Sequence, residues 1–95
     1  MTKKNKLLDE LTVEMKERGR LRGEVAELEA ETQSLHYRIM QLLNSDTGGE
    51  ESLIRTTDKA RHTLGRLAEV RGDLAATEAS IQIMKAYLEY DNEYN

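Results

Sequence analysis

Apolar residues recur along this chain at alternating steps of three and four, in two runs with one break between them. In the first run, Leu21, Leu28, Leu35 and Leu42 lie seven apart, with Val25, Thr32 and Ile39 between them. In the second, Leu53, Ala60, Leu67, Leu74, Ile81 and Leu88 keep that spacing, interleaved with Thr56, Thr63, Val70, Thr77 and Met84. A helix turning every 3.6 residues gathers such positions into one stripe, so each run reads as a helix with a coiled-coil seam. The break, Asn44-Ser45-Asp46-Thr47-Gly48-Gly49, is the one turn-like cluster. The pattern predicts helix one over about 3–44, a turn over about 45–49 and helix two over about 50–91, a single helical hairpin on residues 1–95. Thr47 with Glu50 three residues on matches a capping box, and Glu50 and Glu51 suit the positive end of the second helix.

Folding about that turn tests the reading. Residues whose numbers add to 95 pair Leu42 with Leu53, Leu35 with Ala60, Leu28 with Leu67, Val25 with Val70, Leu21 with Leu74, and Leu7 with Leu88. Each layer joins an a position to a d position, as antiparallel helices require. Two layers break the rule, Arg18 opposite Thr77 and Glu14 opposite Ile81. They lie close to Gly19 and Gly23, where the first helix is expected to bend or slip register.

Charge adds a direction. Residues 1–22 are net +3, 23–51 net −6, 52–76 net +2 and 77–95 net −3, for a formal total of −4. Folding the chain in half sets each block against its opposite, which selects antiparallel over parallel pairing. Glu24 with Arg66 and Glu31 with Lys59 are expected as favourable diagonals, and Arg22 against Arg71 as an unfavourable one. The fold class is therefore all-α, an antiparallel two-helix coiled-coil hairpin. A chain of 95 residues with so little to bury is expected to associate, into a dimeric four-helix bundle or a higher oligomer.

Composition narrows the function. Zero cysteines exclude disulfides and thiolate chemistry. No apolar run is long enough to span a bilayer, and no h-region follows Met1–Lys6, so no membrane contact and a cytoplasmic location are expected. A net acidic chain makes a poor general nucleic-acid binder, although Arg18-Gly19-Arg20-Leu21-Arg22 leaves an RNA- or DNA-binding bundle as a distant alternative. His36 and His62 lack further ligands at metal-site spacing. No nucleophile-base pair or phosphate loop can be drawn, so no catalytic residue, metal or cofactor is assigned. The seam is shared by many unrelated proteins and names no family.

Three residue groups remain as candidate sites. Small residues at helical spacing, Gly19, Gly23, Ala26 and Ala30 on helix one and Gly65, Ala68, Gly72, Ala75 and Ala79 on helix two, form an expected oligomer interface. A helix-interior glycine costs about 1 kcal/mol relative to alanine, and close approach of another helix compensates it. Ile83, Tyr87, Tyr90 and Tyr94 at steps of four, three and four, with Leu8 across the hairpin, form an expected partner interface, because tyrosine combines contact area with a hydroxyl. Arg38, Arg55, Thr56, Thr57, Lys59, Arg61 and His62 form a candidate site for a small anion such as a nucleotide, set against the plainer reading of a solvated charged face. The leading expectation is a non-enzymatic protein that self-associates and binds another macromolecule, as adaptor, assembly factor or inhibitor. The alternative is an oligomer that sequesters a small anionic ligand.

Overall fold

A computed structural model of the chain describes residues 2–94, with side chains through Tyr90. Two α-helices account for almost all of it, α1 over Lys3–Leu43 and α2 over Glu50–Tyr94, and there is no strand among the described residues. The helices pair antiparallel as a hairpin. Contacts group into two compact units: an open-end unit of Met1–Gly23 with Arg71–Asn95, and a turn-end unit of Glu24–Val70.

Thr2 starts α1 as its cap, accepting a bond from the Asn5 backbone N–H at 3.1 Å on its hydroxyl while its carbonyl accepts from Lys6 N–H. The end of α1 tightens, with Ser45 N–H bonded to the Leu42 carbonyl at 3.3 Å. The chain then reverses through Gly48 and Gly49, whose φ values of 56° and 83° lie in the left-handed region that side chains disfavour. The first bond of α2 runs from Leu53 N–H to the Gly49 carbonyl at 2.8 Å, so Gly49 is the cap. This displaces the expected capping box. Thr47 stands two residues outside the helix, where its carbonyl accepts from the Ser45 hydroxyl at 3.2 Å. Glu50 and Glu51 do fall in the first turn. At the other end, α2 runs to Tyr94 rather than stopping near 91, for neither proline nor glycine occurs at positions 91–94.

Every seam position named from the sequence is buried or half-buried. In the turn-end unit the floor of the seam is Thr63, Leu67 and Val70, and in the open-end unit it is Leu21, Thr77 and Ile81. The cross-helix bonds identify the register. Glu24 receives a bond from Arg66 at 2.6 Å in the turn-end unit, and Glu78 receives one from Arg22 at 3.2 Å in the open-end unit. Within each unit the pair's numbers sum to five away from 95 (90 and 100), as residues flanking that unit's seam must. Thr63 donates to Glu31 at 3.5 Å in place of the Lys59 contact expected of that glutamate.

The two irregular layers do not interrupt the fold. α1 passes through Gly19 and Gly23 unbroken, and Ile81 is 1% exposed, among the most deeply buried residues. Glu14 and Arg18 are half-buried. Such side chains are long enough to lay an aliphatic stem over a seam while the charged end reaches water, so a charged residue at a seam position need not force a slip.

Helix-interior and turn glycines respond oppositely to a methyl group. A Cβ added at Gly65 or Gly72 meets nothing within 4 Å, so each alanine substitution stabilises the isolated hairpin by about 0.5–1 kcal/mol in thermal or urea melts. Gly48→Ala and Gly49→Ala destabilise by about 1 kcal/mol, through backbone strain alone. Ile81→Ala costs about 2–4 kcal/mol by the same melts, and Leu88→Ala, at a half-buried layer, costs less.

Candidate functional site

A pair of helices joined by one seam leaves two flanks. Residues just before an a position lie on one flank, and residues just after a d position lie on the other. In the open-end unit Glu10 and Ser80 mark the first flank, where they line one groove with Asp9, Val13, Glu14 and Met84. The Arg22–Glu78 pair marks the second.

This division separates the expected partner interface. Tyr87 precedes the a position Leu88, so it stands on the Glu10–Ser80 flank, with Ile83 and Tyr90 beside it at helical spacing. They are 53%, 62% and 63% exposed for Ile83, Tyr87 and Tyr90 respectively. Leu8 follows the d position Leu7 and stands on the opposite flank at 40% exposure. The structure therefore does not bring Leu8 to the tyrosines. Val13, at 64% exposure, takes its place on the tyrosine side. Val13 has no apolar neighbour at helical spacing on its own helix, and only its position relative to the seam places it here. The side chain of Tyr94 lies outside the described residues. At the end of this unit Lys3, Lys4, Leu7 and Leu88 line a small separate groove.

The small-residue stripe is on the surface throughout. Gly19, Gly23, Ala26 and Ala30 of α1 and Gly65, Ala68, Gly72, Ala75 and Ala79 of α2 are all exposed. Nothing in the chain lies within 4 Å of a Cβ built on any of the four helical glycines. No helix–helix contact inside the hairpin explains them. In the turn-end unit the same heptad positions turn large: Tyr37 lies seven residues after Ala30, Met40 fourteen after Ala26, and Ile54 fourteen before Ala68. These three are 68%, 49% and 62% exposed. The spacing of the small residues alone does not show these large ones on the same stripe.

The candidate anion site disperses. Thr56 turns its hydroxyl back to the Ser52 carbonyl at 2.7 Å, a common use for a helical threonine. Thr57 is half-buried, while Arg38, Arg55, Lys59, Arg61 and His62 are exposed. Arg61 and His62 line a shallow depression over Gly65 together with Asp58, Arg66 and Glu69. Arg55 lies in a different depression with Glu50 and Glu51, beside the turn glycines. Carboxylates have already reached two of the cations around the first depression. Arg61 bonds Asp58 at 3.5 Å, and Arg66 contacts both Glu24 and, at 3.6 Å, Glu69.

Elsewhere, the Glu17 carboxyl is held below the usual carboxylate range by the hydrogen bond from Arg20, whose Nε donates at 3.0 Å. Both groups are exposed, so the pair serves as a local helix contact. Among the described residues no group of histidine, aspartate and glutamate could hold a metal ion, and no helix is long and apolar enough to cross a membrane. No protein-family model, curated protein or solved structure matches the chain.

With Arg61 and Arg66 of the turn-end unit already paired to carboxylates, inorganic phosphate or ATP at millimolar concentration leaves the melting temperature unchanged. A ligand-dependent rise in differential scanning fluorimetry, abolished by Arg61→Gln, contradicts that expectation.

Proposed function

We propose that this chain is a non-enzymatic coiled-coil hairpin that self-associates and binds another macromolecule, in the manner of an adaptor, assembly factor or inhibitor. The supporting observation is an imbalance in burial. Among the described residues four apolar side chains are buried, whereas eleven large ones are exposed, including Val13, Ile54, Tyr37, Tyr87 and Tyr90. A single seam supplies little driving force, and exposed apolar area of this kind is commonly an interaction surface. Two surfaces are open to a second copy, the small-residue stripe and the tyrosine flank of the open-end unit. Small-anion capture is the weaker reading, because a ligand has to displace the carboxylates around Arg55, Arg61 and Arg66 before it gains anything.

Self-association makes stability depend on protein concentration. The melting temperature rises across a range from about 1 to 100 μM, and light scattering gives a mass above the 10.9 kDa of one chain. A constant melting temperature with a monomer mass at every concentration rejects the self-association half of the proposal.

A further inference from the structure

The geometry points to a second copy of this chain as the occupant of the Val13–Ile83–Tyr87–Tyr90 flank, with α1 of each copy against α2 of the other. This rests on the self-association proposed above and names its face and orientation.

Area is the first argument. Aromatic side chains present about 150–250 Å² each. At exposures of 53–64%, these four residues offer about 450 Å², roughly half the ~800 Å² that each partner contributes to a standard interface. The stems of Lys3, Lys6, Glu10 and Glu17, on the same flank, form its rim.

Charge identifies the occupant and its direction. Within the open-end unit, residues 1–23 carry seven basic and four acidic side chains, and residues 71–95 carry two basic and five acidic, so the shares are +3 and −3. The unit is neutral, and two copies meet without net repulsion. A foreign helix of one sign matches only half of it. Placing α1 against the second copy's α1 sets +3 against +3. Placing α1 against α2 sets opposite charges together twice, about a two-fold axis parallel to the helices. Residues at equal height then meet across the interface. Val13 packs on Ile83, the Lys3 and Lys6 stems lie along the Tyr87 and Tyr90 rings, and Arg20 approaches Asp73. Ammonium groups over tyrosine rings attract, and within the open-end unit no like-charged pair falls opposite another.

Sedimentation velocity on the full chain measures the face. Ile83→Glu combined with Tyr87→Glu weakens self-association at least tenfold while circular dichroism stays helical, because both residues are exposed. Gly65→Glu with Ala75→Glu, on the stripe, leaves association unchanged. The chain has no cysteine, so single cysteines read the orientation. Val13→Cys mixed with Ile83→Cys gives a disulfide-linked dimer on a non-reducing gel, and Ile83→Cys alone gives none. Cross-linking of Ile83→Cys to itself, without the mixed product, overturns the orientation. Association that survives Ile83→Glu/Tyr87→Glu, or that is lost with the stripe variant instead, overturns the face and leaves self-association standing. A wild-type chain that stays monomeric overturns both.

Discussion

The feature on which the rest of the structure depends is the meeting of two apolar ladders in one register. Only about a third of each helix surface can face the other helix, so a two-helix hairpin has one seam and no second layer behind it. That limit explains why the buried set is so small and why two of its members, Thr63 and Thr77, are threonines. A narrow seam tolerates a β-branched polar residue where its hydroxyl finds a partner, as Thr63 does in Glu31. It also explains the depth of Ile81. With Glu14 opposite, burial depends on a methylene stem lying over the isoleucine, which a long polar side chain supplies as readily as a short apolar one.

Much of this was legible in the sequence because period and register are one-dimensional properties. The seam, the turn at Gly48-Gly49 and the Glu24–Arg66 diagonal all follow from counting along the chain. What counting missed has a common cause. The helix start depends on which carbonyl accepts the first amide bond, and Gly49 takes that role ahead of Thr47, whose box pattern differs from the real cap by two residues. The separation of Leu8 from Tyr87 depends on which side of the seam each residue takes. Adjacent heptad positions around Leu7 and Leu88 look equivalent in a list of neighbours and are opposite in space. Val13 escaped because it has no apolar neighbour at helical spacing on its own helix. Its companions, Ile83 and Tyr87, belong to the other one.

Electrostatics divides the two units. Residues 24–70 carry nine acidic and five basic side chains, and Arg61 and Arg66 are reached first by carboxylates three residues away or across the seam. Exposed pairs of this sort contribute little to stability. Their larger effect is on what the surface accepts. An incoming phosphate competes with a tethered carboxylate at high effective concentration, and it does so near Glu50, Glu51, Asp58 and Glu69. A cluster of cations in sequence is therefore a poor guide to an anion site until the acids around it are placed.

The four helical glycines carry the energetic argument furthest. Each sits in open space, so no contact within the chain offsets its conformational cost, and the hairpin is less stable than an alanine-substituted version of itself. A single-seam fold is already close to the margin. Apolar area left on the outer surface makes the free chain less favourable relative to any assembly that covers it. In the assembly proposed above, folding and association are linked equilibria: covering the tyrosine flank lowers the free energy of the assembled state, whereas the glycines, on a face that assembly leaves open, cost the free hairpin and the assembly alike.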